Sequence, residues 1–462
     1  MMSDGKHPHM TRQEAPVEPP VVLTIAGSDS GGGAGIQADL KTIEAGGGFG
    51  TSAITSVTAQ NTTGVESTHV LPIDEIDAQC GAVCSDFDVA AVKTGMLAAT
   101  DVVELVTERV RETEVPAVVD PVMVAASGDR LLASEAEAAY EDLVAEAALV
   151  TPNADEAAVL TDIDLDGEAE AREAGKRLVE MGADAALVKG GHIPGDDVVD
   201  VLVTGDDVDV FRHSRVDTDA THGSGCALSS AIATRLAHGD DLVDAVGAGI
   251  DLLARAVRYN LDVGEGPGAV HHAVETRDRA ARDETAEAVE GVVQSFVDRN
   301  VGPLVPEVGT NVAGATPYAE RPGETAAVEG RITRTRSGVQ PNRGVRFGAS
   351  THVARLLLAA RERDPRLRFA ANCRYDGPVA DALSTLDGPV AEFDRADAPA
   401  SAGADAVEWG IETAFDAVEG TPAAVVDHGA SGDEPLVFLL AREPDALVDR
   451  TLTLLEAVES EA

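Results

Sequence analysis

A polar, glycine-containing stretch from Asp217 to Cys226 carries the most suggestive chemistry in this sequence, because it runs directly into an apolar helical pattern. A helix that begins there presents free backbone N–H groups and the positive end of its dipole to an anion. Cys226 falls in the first turn, where the dipole is expected to lower the pKa of the thiol below its free value of about 8.5. Transfer of a phosphoryl group to a hydroxyl requires such an anion site beside a proton acceptor. The alternative is an ordinary helix cap next to a small buried residue.

Other polar motifs follow short runs of Val, Ile and Leu, and each run predicts a strand. The runs cover 21–26, 53–57, 89–92, 117–119, 149–150 and 185–188, and helical patterns lie near 36–45, 74–85, 101–112, 134–146, 153–160 and 168–181. This alternation predicts a mainly parallel sheet with helices on both faces, whose ligands bind at the carboxyl ends of the strands. The motifs that follow the runs are Ala26–Lys41, Thr58–Thr62, Lys93–Met96, Asp120–Met123, Thr151–Glu156 and Lys189–His192.

The charge of the chain limits its partners. It has 81 acidic and 35 basic residues, with a formal net charge of −46. This charge disfavours binding to nucleic acid or an anionic membrane, and no apolar run approaches the roughly 20 residues of a membrane span. Abundant Asp and Glu with few Lys and few aromatic residues indicate a halophilic protein. Four cysteines without a CxxC pair indicate a reducing, cytoplasmic compartment.

Length and a change of pattern predict two domains. The polar segment 1–19 is expected to be a disordered tail, and residues 20–272 form the first domain. Residues 273–290 are charged and Ala-rich, which predicts a linker or the first helix of the next domain, 291–462.

The second domain contains a basic island. Between residues 331 and 374 there are eleven arginines, and the only acids are Glu362 and Asp364. Arginine makes bidentate contacts with phosphate, so this island predicts a site for a strongly anionic ligand. A solvated helix face near 353–364 accounts for Arg361, Arg363, Arg366 and Arg368. The remaining candidates are Arg331, Arg334, Arg346, His352 and Arg355, with Ser350 at the start of the helix.

The first domain resembles the hydroxymethylpyrimidine and hydroxymethylpyrimidine-phosphate kinases of thiamine biosynthesis, which have the ribokinase-like fold. The matching segments, in the family's order, are Ala26–Lys41, Ala59–Thr62, Lys93–Met96, Thr151–Glu156, Val188–His192 and Thr221–Cys226. The resemblance covers about residues 20–272. It implies a three-layer α/β/α domain with a mainly parallel sheet. It also implies two successive ATP-dependent phosphorylations, first of the hydroxymethyl group and then of the monophosphate.

The resemblance also implies roles for single residues at the acceptor. Asp39 and Gln60 would hydrogen-bond the aminopyrimidine, whose nitrogens an acceptor and an amide complement. Gly27, Met96 and Val122 would line the ring. Cys226 stands where related sugar kinases carry an aspartate base, and the backbone at Gly223 and Gly225 would hold the transferring phosphoryl group.

At the nucleotide, the resemblance assigns the phosphates and Mg²⁺ to Asn153, Glu156, Lys189 and Thr218, with Glu156 as the metal ligand. The chain departs from the family at one position. The family usually has a lysine in the segment that matches Val263–Gly266, and here Glu265 replaces it. This departure puts the affinity for ATP in question.

The second domain resembles the archaeal-type thiamine phosphate synthases, which have an α/β fold. The matching segments are Pro306–Asn311, Gly330–Ile332, Phe347–Arg355, Asn372–Asp376 and Asp427–Pro435, within about 285–462. The resemblance implies that hydroxymethylpyrimidine diphosphate is joined to hydroxyethylthiazole phosphate with release of diphosphate. That step needs stabilisation of the leaving-group charge. By the resemblance, Arg331 and His352 do this work; Asn311, Asp376, Asp427 and Glu434 are secondary candidates.

The sequence therefore predicts a bifunctional thiamine-biosynthesis enzyme that uses ATP and Mg²⁺, acts on small-molecule substrates and forms a homo-oligomer. One alternative keeps the kinase and makes the second domain a ligand-sensing regulatory module; the presence of both Arg331 and His352 favours catalysis. Another is a pyridoxal-type kinase; Asp39 together with Gln60 favours the aminopyrimidine.

Overall fold

The computed structural model describes residues 15–123, 139–193, 195–205, 207–399, 406–430 and 432–461. The chain divides into two compact units between Val274 and Glu275. Most of the expected tail, and residues 134–138 of the expected helix near 134–146, lie outside the described residues. In the described part of the chain, no helix combines the length and the apolar character that a bilayer crossing needs.

The first unit is built on an eight-stranded sheet in the order β10-β9-β8-β7-β6-β5-β1-β2. Strands β1, β2 and β5 to β8 pair in parallel, and β9 and β10 are antiparallel to their neighbours. A separate hairpin, β3–β4, stands outside this sheet. The strands are β1 (Val21–Ala26), β2 (Phe49–Ile54), β3 (Ser56–Asn61), β4 (Gly64–Val70), β5 (Val89–Thr94), β6 (Ala117–Val119), β7 (Leu149–Val150), β8 (Ala185–Val188), β9 (Asp197–Thr204) and β10 (Asp207–Ser214).

Helices cover both faces of this sheet, because its central strands are apolar on both sides. One core packs α2, α3, α4 and α6 against the strands, through side chains such as Val106 and Leu178. The other core packs α1, α7 and α8, through Ile43 and Ile232. The expected three-layer α/β/α architecture is confirmed. The helices are α1 (Gly35–Ala45), α2 (Ile73–Asp86), α3 (Thr100–Thr113), α4 (Ala139–Val144), α5 (Ala154–Thr161), α6 (Glu168–Met181), α7 (Ser224–Ala237) and α8 (Leu242–Arg258).

The expected strand over 53–57 is divided between β2 and β3. The chain turns at Thr55, whose backbone N–H donates to the carbonyl oxygen of Ala26 at 3.0 Å. The hairpin that follows is attached to the Gly-rich loop after β1, because the Thr58 hydroxyl donates to the Ser28 carbonyl at 2.8 Å. One continuous apolar run therefore serves both the main sheet and a hairpin beside the loop.

The second unit has a seven-stranded sheet in the order β15-β12-β11-β16-β19-β18-β17, in which only β17 and β18 pair in parallel. Helices α10, α12 and α14 cover one face, and α11 and α13 cover the other, so this unit is also α/β. The strands are β11 (Val312–Ala315), β12 (Thr325–Val328), β13 (Ile332–Thr335), β14 (Gly338–Pro341), β15 (Val345–Phe347), β16 (Phe369–Arg374), β17 (Val390–Phe393), β18 (Ala424–Asp427) and β19 (Leu436–Ala441). The helices are α9 (Val274–Ala280), α10 (Arg282–Asp298), α11 (His352–Arg363), α12 (Gly377–Ala382), α13 (Ala406–Asp416) and α14 (Pro444–Glu461).

The charged, Ala-rich segment 273–290 is helical, in α9 and the first half of α10. Val289 and Val292 on α10 are buried in the core of the second unit. This part of the segment thus packs as the first helix of the second unit.

Candidate active sites

A cavity of about 580 Å³ opens at the carboxyl ends of β1, β5, β6 and β8 in the first unit. This volume lies within the range of roughly 300–1,000 Å³ that small-molecule sites occupy. The cavity gathers all of the predicted first-domain site residues except Asp39 and Thr218. Those that line it are Gly27, Gln60, Met96, Val122, Asn153, Glu156, Lys189, Gly223, Gly225 and Cys226. Motifs that lie far apart in the sequence therefore converge where the parallel sheet requires.

The start of α7 forms one wall of the cavity, and two glycines shape it. Gly223 has a φ of 82°, and a Cβ there would lie 1.8 Å from the carbonyl oxygen of Gly33. A Cβ on Gly225 would lie 3.2 Å from Lys189 Nζ and 3.4 Å from Asp120 Oδ2. Without side chains at these positions, the first-turn N–H groups remain open toward the ammonium group of Lys189. Such an arrangement can hold an anion, and we call it the phosphoryl cradle.

Lys189 supplies the positive charge of this cradle. Its Nζ donates to Asp120 Oδ1 at 2.9 Å and lies 4.0 Å from Glu156 Oε2. Asp120 is 1% exposed and also accepts from the Thr151 hydroxyl at 3.2 Å. Asp120 begins one of the polar motifs that follow the strands but is not among the predicted site residues. Its position directly after β6, at the binding edge of the sheet, is the signal that could have identified it.

Asn153 and Glu156 cap the start of α5. The Glu156 N–H donates to Asn153 Oδ1 at 2.9 Å, and Glu156 Oε2 accepts from the Asn153 N–H at 2.8 Å. Burial raises the pKa of Glu156 to about 7, although the Lys189 ammonium acts in the opposite direction. In the described part of the chain, no group of three or more His, Cys, Asp or Glu residues could hold a metal ion. A divalent ion here would therefore need oxygens from a bound ligand or from water.

Cys226 lies in the first turn of α7 and lines the cavity, as predicted. The predicted direction of its pKa shift is wrong. Burial raises the pKa of the thiol to about 11, and the opposing effect of Lys93 is smaller. Asp39 and Asp120 raise the pKa further, because each disfavours a thiolate. The desolvation of the thiol thus outweighs the positive end of the helix, and the thiol is protonated at neutral pH.

Asp39 does not reach the cavity, which corrects its predicted role as a pyrimidine ligand. The carboxylate is fully buried and accepts two hydrogen bonds from Lys93 Nζ, at 2.8 and 2.9 Å. It also accepts from the Thr24 hydroxyl at 2.6 Å and the Ser230 hydroxyl at 2.9 Å. A carboxylate has about four acceptor positions, so these four bonds occupy it. The Lys93 side chain is fully buried as well, so this ion pair lies within the cavity wall that Lys93 lines.

Gly27 and Met96 line the cavity directly after β1 and just after β5. A Cβ on Gly27 would lie 2.3 Å from Met96 Cε and 2.7 Å from Ser56 Oγ, so a larger residue there would have to displace these side chains. Gln60 is within hydrogen-bond distance of His222, at 3.3 Å between Nε2 atoms. These groups place an amide beside an apolar slot, which suits a flat, nitrogen-containing ring.

Asp29 organises the Gly-rich loop after β1. Its carboxylate accepts from the backbone N–H groups of Gly31, Gly33 and Ala34, and His222 Nε2 lies 3.1 Å from its Oδ2. Asp29 and His222 line the cavity but were not predicted as site residues. The loop therefore provides its own anion for its free N–H groups, and the phosphoryl cradle lies at α7 instead.

Thr218 and Glu265 lie outside the cavity lining. The Thr218 hydroxyl accepts from the Ala220 N–H at 3.1 Å and from Asn260 Nδ2 at 3.2 Å, so it supports the loop before α7. Glu265 sits between two glycines that pack against Thr62, and the Gly266 N–H donates to the Thr62 hydroxyl at 3.0 Å. The replacement at Glu265 therefore removes no cation from the lining of this cavity.

In the second unit, His352 begins α11 and lies among charged side chains. Burial lowers the pKa of its imidazole; Arg395 and Arg331 lower it further, while Asp427 and Asp433 act in the opposite direction. The imidazole also packs on Phe438, with ring centroids 5.4 Å apart. Arg331 is thus an electrostatic neighbour of His352, and so is Arg395, which sequence analysis missed.

Arg331 and Glu434 hold the loop before β11. Arg331 follows Gly330, has a left-handed φ of 73°, and donates from its guanidinium to the Val308 carbonyl. Glu434 accepts from the backbone N–H groups of Glu307 at 3.0 Å and Val308 at 3.2 Å. A left-handed conformation at a residue with a Cβ is a strained arrangement that is common at functional sites.

The secondary candidates Asn311 and Asp376 have supporting contacts. Asn311 is buried; its Nδ2 donates to the Val328 carbonyl at 2.9 Å, and its N–H donates to Asn372 Oδ1 at 2.7 Å. Asp376 caps α12 by accepting from the Val379 N–H. These contacts stabilise the strand ends and do not place either side chain against His352.

Within the described residues, no hydrogen bond or ion pair links the other predicted anion-binding residues to His352. Arg346 pairs with Glu329 at 3.1 Å, and Arg334 lies exposed on the β13–β14 hairpin. Ser350 is buried just before α11, and Arg355 is exposed on its first turn.

The expected solvated helix face is wrong for Arg361, which is 5% exposed and donates to the carbonyls of Leu367 and Pro317. Arg363 and Arg366 pair with Asp416 and Asp364, respectively. Much of the basic island therefore serves the fold.

Both units match known families. Residues 29–271 match a family model described as phosphomethylpyrimidine kinase, and residues 288–453 match one described as thiamine-phosphate synthase ThiN. A hydroxymethylpyrimidine/phosphomethylpyrimidine kinase of Streptomyces coelicolor is 47% identical over 264 residues, which are 57% of this chain and 98% of that protein. The thiamine biosynthesis bifunctional protein ThiED of Geobacter sulfurreducens is 43% identical over 272 residues, which are 58% of this chain and 56% of that protein.

Solved structures are similar to part of the chain. The ADP complex of Bacillus subtilis pyridoxal kinase has a TM-score of 0.52 and 32% identity, and covers 56% of this chain and 100% of its own. The pyridoxal kinase of Staphylococcus aureus with AMP-PCP and pyridoxal has a TM-score of 0.53 and 28% identity, and covers 56% of this chain and 96% of its own.

Proposed function

The chain belongs to the phosphomethylpyrimidine kinase family, whose model matches more than half of its length. On that premise we propose that the first unit uses ATP to phosphorylate 4-amino-5-hydroxymethyl-2-methylpyrimidine and then its monophosphate. The second unit joins the resulting diphosphate to hydroxyethylthiazole phosphate, giving thiamine phosphate and diphosphate. The observation that carries the kinase assignment is the convergence of Cys226, the start of α7 and Lys189 on one cavity.

In this proposal, the kinase accelerates phosphoryl transfer mainly by positioning the substrates and neutralising the charge of the phosphates. The pyrimidine ring occupies the slot lined by Gly27, Met96 and Gln60, with its hydroxymethyl oxygen toward Cys226. The Cys226 thiol is protonated, so its sulfur orients the hydroxyl as a hydrogen-bond acceptor, and the proton leaves with the transferred phosphoryl group. The N–H groups at the start of α7 and the Lys189 ammonium stabilise the phosphoryl oxygens during transfer.

The residues present fit a Mg²⁺ ion that is carried by the nucleotide. Asp120 and Glu156 lie near one another beside Lys189, and burial together with the Asp120 carboxylate raises the pKa of Glu156 to about 7. A hard cation with several phosphate or water oxygens would complete this site and would neutralise the phosphates during transfer. Asn153, whose side chain caps α5, holds Glu156 in place for that contact.

In the second unit, Arg331 and His352 act on the diphosphate group as it departs. The proposed role of the guanidinium is to bind phosphate oxygens. The neutral imidazole supplies a hydrogen-bond donor without repelling Arg331. A regulatory module would need a ligand site but no such stabilisation of developing charge. The electrostatic proximity of Arg331 to His352 at the start of α11 supports catalysis.

A pyridoxal kinase is the second candidate for the first unit, since pyridoxal kinases are among the solved structures similar to it. An amide at Gln60 and an apolar slot at Met96 would also accept a pyridine ring. Parallel assays with hydroxymethylpyrimidine and pyridoxal separate the two, and we expect kcat/KM for the pyrimidine to be the larger. The opposite order would assign the first unit to pyridoxal.

The test of the whole assignment is mass spectrometry of products from hydroxymethylpyrimidine, hydroxyethylthiazole phosphate, ATP and Mg²⁺. Molar KCl suits the acidic surface, whose net charge of −46 requires screening in dilute buffer. We expect the pyrimidine monophosphate, the diphosphate and thiamine phosphate to form in that order. Omission of the thiazole should stop the sequence at the diphosphate. Formation of the diphosphate without any thiamine phosphate would refute the synthase half.

A further inference from the structure

Arg395 lies where two neighbouring strands of the second unit end. It follows β17, and Asp427 is the last residue of β18. These two strands are the parallel pair of the sheet, with Phe393 opposite Asp427 in register. Their carboxyl ends therefore meet, and the Arg395 side chain reaches across to its neighbour's end.

Asp427 fixes one edge of the Arg395 guanidinium. Arg395 Nε lies 3.0 and 2.9 Å from the two Asp427 oxygens, and Nη2 also donates to Oδ2. Asp427 is 1% exposed, and its Oδ1 accepts a further bond from the Gly429 N–H at 2.9 Å. A buried, bidentate carboxylate holds the guanidinium plane in one orientation, so its remaining donors have a fixed direction.

The other side of the Arg395 guanidinium pairs with an exposed carboxylate, that of Asp433. Nη1 donates to Asp433 Oδ2 at 3.2 Å, and the Asp433 side chain is 53% exposed, against 1% for Asp427. Asp433 is next to Gly432, which has a positive φ of 100°. An exposed pair joined by one hydrogen bond is weak, so a stronger anion can replace Asp433.

The same guanidinium is an electrostatic neighbour of the synthase residues. Arg395 has the largest effect of any charged group on the His352 imidazole, and Asp427, Arg331 and Asp433 follow it. His352 begins α11, whose first-turn N–H groups receive no side-chain cap from Thr351. The His352 ring packs on Phe438 of β19, with centroids 5.4 Å apart, and Leu436, two residues before Phe438, is the register partner of Asp427. The start of α11 and the Arg395–Asp427 pair therefore lie on the same part of the sheet, and Asp433 is bonded to Arg395 on its exposed side.

We infer that Arg395 binds the diphosphate group of the pyrimidine substrate, and that Asp433 is the counter-ion which this diphosphate displaces. The inference rests on the proposed synthase activity. In that reaction the C–O bond between the pyrimidine methylene and diphosphate breaks, and its electron pair stays on the diphosphate oxygen. The lone pair of the thiazole nitrogen forms the new C–N bond, so no further reactant is needed. Arg395 stabilises the charge on the departing oxygen, and Asp427 is its positioning residue.

The test is calorimetric titration of the full chain with inorganic diphosphate. Asp433→Asn removes the competing carboxylate and should tighten binding by roughly three- to tenfold. Asp416→Asn is the matched control, because Asp416 also pairs with an arginine, Arg363, at an exposed position of the same unit. Both variants remove one negative charge from the chain, so a difference between them cannot come from net charge. Equal affinities in the two variants would overturn the displacement of Asp433.

Arg395 itself is tested by two variants. Arg395→Gln should weaken diphosphate binding by about 30-fold or more, whereas Arg395→Lys keeps the charge but loses the fork and should weaken it by roughly three- to tenfold. Arg395→Gln leaves Asp427 buried without its cation, so circular dichroism must show that it folds. If it does not, Arg395→Lys and Asp433→Asn decide the matter. Wild-type affinity in Arg395→Lys together with an unchanged Asp433→Asn would refute the inference.

The coupling assay separates this inference from the proposed function. If the wild-type chain makes thiamine phosphate but the Arg395 and Asp433 variants match Asp416→Asn, only the present inference fails. If the variants change diphosphate affinity as expected but the wild type makes no thiamine phosphate, the synthase assignment fails and the diphosphate site stands.

Discussion

The two candidate sites hold their positive charge in different ways. The first unit uses Lys93 and Lys189, two of only five lysines in the chain, and buries both against carboxylates inside a cavity. The second unit uses Arg331 and Arg395 nearer the surface. A compact ammonium can be enclosed, which excludes water that would otherwise accept the phosphoryl group. A planar guanidinium suits a diphosphate that must leave. The difference indicates that the type of cation matches the reaction: the kinase site must exclude water, and the synthase site must release diphosphate.

The largest expected effects come from removing one residue from each site and measuring both reactions. The comparison fails if a variant in one unit changes the reaction of the other unit. Cys226→Ala should lower the rate of pyrimidine phosphorylation by about 100- to 1,000-fold, because the hydroxyl loses its orienting partner. Coupling of supplied pyrimidine diphosphate should be unchanged, as measured by thiamine phosphate formation. Cys84→Ala, at an exposed cysteine of the same unit, is the control. Cys226→Ser should retain most of the rate, since a hydroxyl also accepts a hydrogen bond.

The converse variants address the second unit. Arg331→Ala or His352→Ala should lower the coupling rate by about 100-fold, because each removes a group that stabilises the departing diphosphate. Phosphorylation by the first unit should be unaffected. Arg336→Ala, an exposed arginine on the adjacent β13–β14 hairpin, should leave both rates unchanged. A loss of kinase activity in His352→Ala would contradict two independent sites.

The protonation state of Cys226 in the enclosed site of the first unit can be measured by alkylation. Burial raises the pKa of this thiol to about 11, so its thiolate fraction should increase tenfold per pH unit up to that value. At pH 7.5 the thiolate fraction of Cys226 is about 300-fold below that of a free cysteine, whose pKa is about 8.5, and we expect iodoacetamide to alkylate Cys226 correspondingly more slowly. Peptide mass spectrometry over pH 6 to 11 measures this rate. A plateau below pH 8.5 would restore the thiolate base that the sequence predicted.

The smallest expected effect concerns Glu265. Because this residue lies outside the cavity lining, Glu265→Lys should change the KM for ATP by less than about threefold. Lys189→Met, which removes the ammonium from the cradle, should raise the same KM much more. Steady-state kinetics with varied ATP distinguish the two. A large gain of affinity in Glu265→Lys would show that a lysine at this position reaches the nucleotide.

The architecture of the first unit and the location of its site could be predicted from the sequence. The apolar runs defined the strands, and a parallel sheet brings the segments after them to one edge. The role of Asp39 could not be predicted this way. Whether its carboxylate faces a ligand or Lys93 depends on Thr24 and Ser230, which approach from β1 and α7.

The pKa of Cys226 and the role of Arg395 required the structure for a related reason. A helix start predicts a stabilised thiolate only where water still reaches the sulfur, and burial is a property of the packed chain. Arg395 lies in no recognisable motif, and only the pairing of β17 with β18 brings it to Asp427. The basic island suggested more anion-binding residues than the structure supports, because most of its arginines donate to carbonyl groups or carboxylates of the second unit itself.

The contact of Gly223 with Gly33 has a consequence for how such an enzyme can change over evolution. The loop that begins the phosphoryl cradle rests on the loop beside the pyrimidine slot through backbone atoms, with no room for a Cβ. This main-chain contact therefore helps to set the spacing between the pyrimidine slot and the phosphoryl cradle. Substitution of surface residues toward an extreme acidic composition leaves that spacing untouched, so adaptation to a new solvent and conservation of the reaction can proceed separately.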